Sequence, residues 1–208
     1  MSSAQFLEMF KQAAGSVIAK SQQLSELDMI GDADFGVNIS TGFEKVIKKL
    51  SDLHDLSIGD ILTTAGHVFV FDIGSTIGGL LGRAFQRAGK QLSGKQQMST
   101  QEFVVFMQTL LDTIQEVGRA KLGDKTLVDA LQPAAFSADE AVKSGVTDFK
   151  SVLKIAAAAA EKGADGTASM VAKIGRASYL GERSRGTIDP GAMFISMFLN
   201  GMAQSVHA

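Results

Sequence analysis

The sequence predicts an all-α fold, and three observations carry that prediction. Two prolines occur in 208 residues, apolar side chains recur at helical rather than alternating spacing, and clusters of glycine rather than proline mark the breaks between periodic stretches. An apolar content of 45% over this length suits a packed core in one domain spanning residues 1–208.

About eight helical segments can be traced. The first sets Phe6, Leu7, Phe10, Ala14, Val17 and Ile18 on one stripe, and the second repeats the pattern with Ile39, Phe43, Val46, Ile47 and Leu50. Ser57 is placed to cap a third, running to about Val70, and Leu80 to Ala88 make a fourth. Ser99 followed three residues on by Glu102 has the capping-box spacing, which starts a fifth helix over Phe103 to Val117. A sixth follows Thr126. Pro133 is expected to kink or interrupt it, because proline cannot donate the backbone hydrogen bond that the turn requires. A seventh runs from about Asp148 through the strongly helix-forming run Ala156 to Ala160, and the last opens at Asp189-Pro190.

Charge and composition exclude several classes. A net charge of −2 with both signs interspersed leaves no broad basic field of the kind that condenses onto nucleic acid or anionic lipid. The chain has no cysteine, and Met1 to Lys11 lack a basic-then-apolar leader, so a cytoplasmic protein is expected. Met193 to Met202 is apolar but about half the length that crosses a bilayer, and Ser196 and Asn200 interrupt it; it reads as a buried helix.

The glycines fall between the helices, beside acidic or hydroxyl residues, in four polar loops. The first, Ile30 to Asn38 with Asp28 just ahead, carries Asp32 and Asp34 in a glycine-flanked turn. Carboxylates two apart can converge on a hard cation that relieves their repulsion, with magnesium the first candidate; a solvated turn or helix cap is the alternative. A calcium EF-hand does not fit, because Gly36 comes one position early and the twelfth position from Asp32 is Phe43 rather than glutamate. The second loop, Gly74 to Gly82, opens a helix and offers backbone N–H groups with two hydroxyls to a phosphate, or else lets helices approach closely. Leu80 and Leu81 stand where a Walker A loop needs lysine and a hydroxyl, and no strand precedes, so neither a P-loop nor a Rossmann turn is present. The third, Gly118 to Thr126, reads as a helix connection. The fourth, Gly175 to Gly186, leads into Asp189-Pro190-Gly191-Ala192 and holds three arginines and the single tyrosine of the chain. An arginine fork matches phosphate, whereas pairing with Glu182 or Asp189 is the structural alternative. His54, His67 and His207 lie outside all four loops and read as surface or core residues.

In this order and with these gaps the loops resemble the L subunit of dihydroxyacetone kinase over nearly the whole chain, most specifically at Gly123-Asp-Lys-Thr126, Gly175 to Ser184 and Asp189 to Ala192. The resemblance implies an antiparallel barrel or bundle of helices with ADP, ATP when phosphorylated, and Mg²⁺ at one end. Carried over by position, it implies metal ligation by Asp28, Asp32 and Asp34. It implies nucleotide contacts at Phe35, Gly36, Val37 and Asn38, at Thr76 and Ile77, at Gly118, Leu127 and Arg176, and at Asp189, Pro190 and Gly191. It further implies no protein nucleophile, a separate dihydroxyacetone-binding K subunit, and a phosphotransferase M subunit that recharges the bound nucleotide from phosphoenolpyruvate.

The chain departs from the family pattern at several places. Phe35 stands where the first motif carries histidine, Ile77 replaces a serine, Thr187 and Ile188 precede Asp189 where a histidine is usual, and Asp28 lies four rather than five residues before Asp32. Those departures support a second expectation, a diverged paralogue with a regulatory or assembly role; a third is an L-type subunit serving another small hydroxyketone or polyol, since the partner sets the sugar.

Overall fold

Eight long helices of 15 to 19 residues form the body of the protein among the described residues. The computed structural model describes residues 1–29 and 31–205; Ile30 of the first loop and His207 lie outside them. In chain order the helices are α1 (Ser3–Ile18), the short α2 (Ser21–Leu27), α3 (Phe35–Ser51), α4 (Ile58–Asp72), α5 (Thr76–Gln91), α6 (Thr100–Gly118), α7 (Val128–Lys143), α8 (Phe149–Gly166) and α9 (Pro190–Ser205). Two 3₁₀ segments, Thr167–Ser169 and Arg176–Ser184, lie between α8 and α9.

The starts are written in the sequence. Ser57 and Ser99 each accept the backbone N–H three residues on and donate their own backbone N–H to the carboxylate there in return, while Asp148 accepts from Ser151. Ser2 forms a further capping box with Gln5. The fourth expected helix begins at Thr76 rather than Leu80, because Ser75 caps it through the Gly78 N–H. The seven-residue α2 buries only Leu24 and is too short to show a periodic stripe. Pro133 does not interrupt α7, which runs unbroken through it. The Asp129 carbonyl that proline leaves without a helical partner faces α8 at Gly163, where a Cβ would collide with it.

Each long helix packs on the next, α1 on α3, α3 on α4 and so on to α9, and α9 returns to α1. The result is a closed antiparallel ring. Met98 N–H donates to Met1 O at 2.8 Å and Ile58 N–H to Lys95 O at 2.9 Å, which gathers the starts of α1, α4 and α6 at one end. The starts of α3, α5, α7 and α9 therefore gather at the other, together with the four polar loops.

Phenylalanine fills the ring. Phe10 has its ring centroid 6.2 Å from Phe6, 6.1 Å from Phe43, 5.8 Å from Phe85 and 5.5 Å from Phe198, so side chains from α1, α3, α5 and α9 meet on one residue. Each such ring removed from water stabilises the fold by about 1.5–3 kcal/mol. Between α4 and α5 the backbones themselves touch. A Cβ at Gly66 would lie 2.7 Å from the Gly82 carbonyl oxygen, and one at Gly82 would lie 2.9 Å from that of Gly66.

Candidate functional site

The first loop doubles back on itself. Asp28 ends α2, and its carbonyl accepts the N–H groups of Gly31 at 2.7 Å and Ala33 at 3.2 Å, with Ala33 in the left-handed region at φ 57°. That turn brings Asp28, Asp32 and Asp34 together, each offering a carboxylate oxygen within 4.8 Å of the other two. Asp28 Oδ2 accepts the Phe35 N–H at 3.2 Å, fixing this carboxylate against the start of α3. Asp34 precedes α3 but its side chain makes no cap bond, so that carboxylate is uncommitted. Burial raises the Asp28 pKa above the ordinary carboxylate value and the Asp34 charge adds to the rise, while the Phe35 N–H and the Arg176 guanidinium oppose it. A half-buried carboxylate beside two exposed ones is an oxygen-only donor set that fits a hard divalent cation.

The second loop divides between its two readings. Gly78 and Gly82 are packing residues, against Ile73 and α4 respectively, whereas no atom stands where a side chain on Gly74 or Gly79 would reach. The N–H groups of Thr76 and Ile77, at the first turn of α5, have no partner among the described residues. Thr76 is exposed, but the Ile77 side chain belongs to the apolar core, so only its backbone faces outward. Gly118 sits under Leu80, which sets the second and third loops side by side. In the first turn of α3, Val37 is exposed and Asn38 half-buried, and Gly36 is a packing residue against Ser21 and Ser25 of α2. Phe35 packs on Phe194 at 6.3 Å, joining this turn to the start of α9.

The third loop is more than a connection. Asp124, Lys125 and Asp129 are all buried. Asp129 accepts the N–H groups of Gly123 at 2.5 Å and Thr126 at 2.8 Å. Lys125 Nζ donates to the carbonyls of Met170 at 3.3 Å, Ser184 at 2.5 Å and Thr187 at 2.7 Å. In the sequence Lys125 stands out only as part of the Gly123-Asp-Lys-Thr126 stretch, with no role of its own, and Asp129 does not stand out at all. The signal was a lysine set between two aspartates at the foot of an apolar helix.

In the fourth loop both arginines pair with carboxylates, Arg176 with Asp32 of the first loop and Arg185 with Glu182 at 2.7 Å within its own loop. Tyr179 is 89% exposed. Asp189 accepts the Ala192 N–H at 2.7 Å and so caps α9, and a Cβ at Gly191 would press on Leu127. Burial raises the Asp189 pKa to about 7, helped by the Asp129 charge and opposed by the N–H groups of Ala192 and Gly191 and by Lys125. The structure thus brings Asp28, Asp32, Asp34, Phe35 and Arg176 into one group, sets Gly118 against Leu80 of the helix that Thr76 and Ile77 open, and joins Leu127 to Gly191 beside Asp189. His54 and His67 are exposed and away from all of them.

No described helix is long and apolar enough to cross a membrane. The chain is 36% identical over 185 residues to the ADP-binding subunit DhaL of the PEP-dependent dihydroxyacetone kinase of Escherichia coli, covering 88% of each. It is 34% identical over 195 residues to the corresponding subunit of kinase 2 of Listeria innocua, covering 91% of this chain and 88% of that one. The dihydroxyacetone kinase of C. freundii, solved in complex with AMP-PNP and Mg2+, shares the fold with a TM-score of 0.76 at 23% identity. That match covers 99% of this chain and 34% of the C. freundii chain, so the ring of helices corresponds to one part of a longer polypeptide there. The pattern of the DAK2 domain matches residues 29–204, from the edge of the first loop to the end of α9, and with it the chain is placed as a member of the DAK2 domain family.

Proposed function

We propose that this protein is the ADP- and Mg²⁺-binding subunit of a phosphoenolpyruvate-dependent dihydroxyacetone kinase. It passes phosphoryl from its nucleotide to dihydroxyacetone held by a separate K subunit. The observation that carries the reading is the three-carboxylate group of the first loop, set at the end of the ring where four helices start. Backbone N–H groups at helix starts favour a diphosphate, while three carboxylates repel it unless a cation lies between. Only the two together make a site for a nucleotide with its metal.

Asp28, Asp32 and Asp34 hold Mg²⁺ in this reading, and the ion supplies neutralisation of phosphate charge. Thr76 and Ile77 offer their free N–H groups to the phosphates, and the turn Phe35 to Asn38 flanks them from the other side. Arg176 brings its guanidinium to the same charge, and Gly118, Leu127, Asp189, Pro190 and Gly191 line the remainder. Phosphoryl transfer depends on placing the groups in line and stabilising the spreading charge, so no residue here need act as a nucleophile. A phosphotransferase M subunit then recharges the retained ADP, and the assembly works in the cytoplasm.

Calorimetry of ADP with Mg²⁺ and again with EDTA tests the site, and coupled assay with K and M subunits and phosphoenolpyruvate tests the reaction. Equal ADP affinity in both buffers would remove the metal-bridged site.

A further inference from the structure

We propose that Lys125 is a positioning residue, clamping the fourth loop in place over the first so that Arg176 is held at the acidic group. The inference deepens the nucleotide-site reading and rests on it. Lys125 is 4% exposed and stands in the left-handed region at φ 61°, held there by Asp129, which takes the N–H groups on either side of it at Gly123 and Thr126. A non-glycine residue in that conformation costs free energy that the surrounding contacts must offset. What the strained backbone accomplishes is to aim the ammonium inward, between the two ends of the loop, which the Gly186 N–H on the Ala168 carbonyl and the Asp189 N–H on Thr167 Oγ1 also tie together.

The three carbonyls it binds belong to both ends of the loop. Met170 lies before the 3₁₀ segment Arg176–Ser184, and Ser184 and Thr187 lie at its close and after it. One cation therefore gathers the two ends of a segment whose middle carries Arg176. Next to it, Asp124 accepts the Lys173 N–H at 3.1 Å, and Ser184 Oγ accepts the Ala172 N–H at 2.9 Å, so the same neighbourhood anchors the descending strand as well. Beyond these anchors the loop reaches across to the first loop through the Arg176–Asp32 pair. Lysine suits the task because its three donors match three carbonyls and it has no acceptor to leave unsatisfied. Methionine would fill the space and orient nothing.

The test uses the full chain. In Lys125→Met, hydrogen exchange of amides 170–187 without ligand is expected to quicken about tenfold or more, as loss of charge-assisted hydrogen bonds implies, while α3 to α6 keep their protection. Affinity for ADP with Mg²⁺ is expected to fall by a similar factor. Because the chain has no cysteine, Lys125→Cys offers a single thiol, and alkylation with 2-bromoethylamine rebuilds a lysine-like ammonium; loop protection and affinity should both return. Loop exchange unchanged in Lys125→Met, or quickened equally in every helix, overturns the proposal. Should Lys125→Met fail to fold, the alkylated Lys125→Cys protein decides: recovered helix content without recovered loop protection also overturns it. The exchange arm needs no nucleotide, so wild-type protein that fails to bind ADP would sink the functional reading while leaving the clamp to be judged on loop exchange alone.

Discussion

The Arg176 guanidinium is paired with the Asp32 carboxylate, and through that pair the fourth loop closes on the first. With Asp32 a metal ligand as proposed, Arg176 and a divalent cation would draw on the same carboxylate.

Arg176→Ala should therefore change two affinities in opposite directions. Mg²⁺ alone binds more tightly, because a competing positive charge is gone, and ADP in the presence of Mg²⁺ binds more weakly, because a phosphate partner is gone. Titrations with Mg²⁺ alone and with ADP at saturating Mg²⁺ check this. Two changes of the same sign would refute the competition.

Asp34→Asn is expected to lower ADP affinity at fixed Mg²⁺ by about tenfold or more, which is ~1.4 kcal/mol, with helix content unchanged by circular dichroism. The side chain takes no part in capping α3, so the helix does not depend on it. Global unfolding of this variant would show the acidic turn to be structural.

The two classes of glycine in the second loop predict opposite effects on stability. Gly82→Ala drives a Cβ into the Val70 side chain and the Gly66 carbonyl, and such overpacking costs about 1–3 kcal/mol. Gly79→Ala meets nothing within 4 Å and gains helix propensity, so it should raise stability by up to about 1 kcal/mol. Thermal melting of the two variants separates packing from open surface.

Asp189 gives the stability a pH dependence. Its folded pKa is raised from 3.8 to about 7, so the folded state binds this proton more tightly than the unfolded state does. The resulting stabilisation is full below the unfolded value and is lost as pH rises through about 7. Asp189→Asn, which keeps an acceptor for the Ala192 N–H without the charge, should flatten the fall in melting temperature between about pH 4 and about pH 7 relative to wild type. An unchanged slope would assign the effect elsewhere.

Much of this arrangement is legible in the sequence because its causes are local. Capping at Ser57 and Ser99 depends on two residues three apart, and the stripes of α1 and α3 repeat within one helix. The acidic turn was equally visible, since Asp28, Asp32 and Asp34 are neighbours in the chain. What escaped notice depends on distant partners. Lys125 acquires its meaning from carbonyls 45 to 62 residues away, and the carbonyl freed by Pro133 lies against Gly163 on another helix, where a side chain would collide with it. Helical phase likewise turns the Ile77 side chain into the core and leaves only its backbone facing outward.

Closure of the ring also bears on how the molecule is made. Seven of its eight seams join long helices consecutive in the chain, and those pairs can form as soon as both members exist. The eighth seam, α1 on α9, joins the first helix to the last and must wait for nearly the whole polypeptide. Local pairings form quickly and distant ones slowly, so α1 and α9 are expected to gain protection last in pulse-labelled refolding. Since α9 also brings Asp189 and Gly191 to the proposed site, ligand binding is expected to follow that final step. A partly synthesised chain would then be unable to sequester nucleotide, and the subunit would become competent all at once.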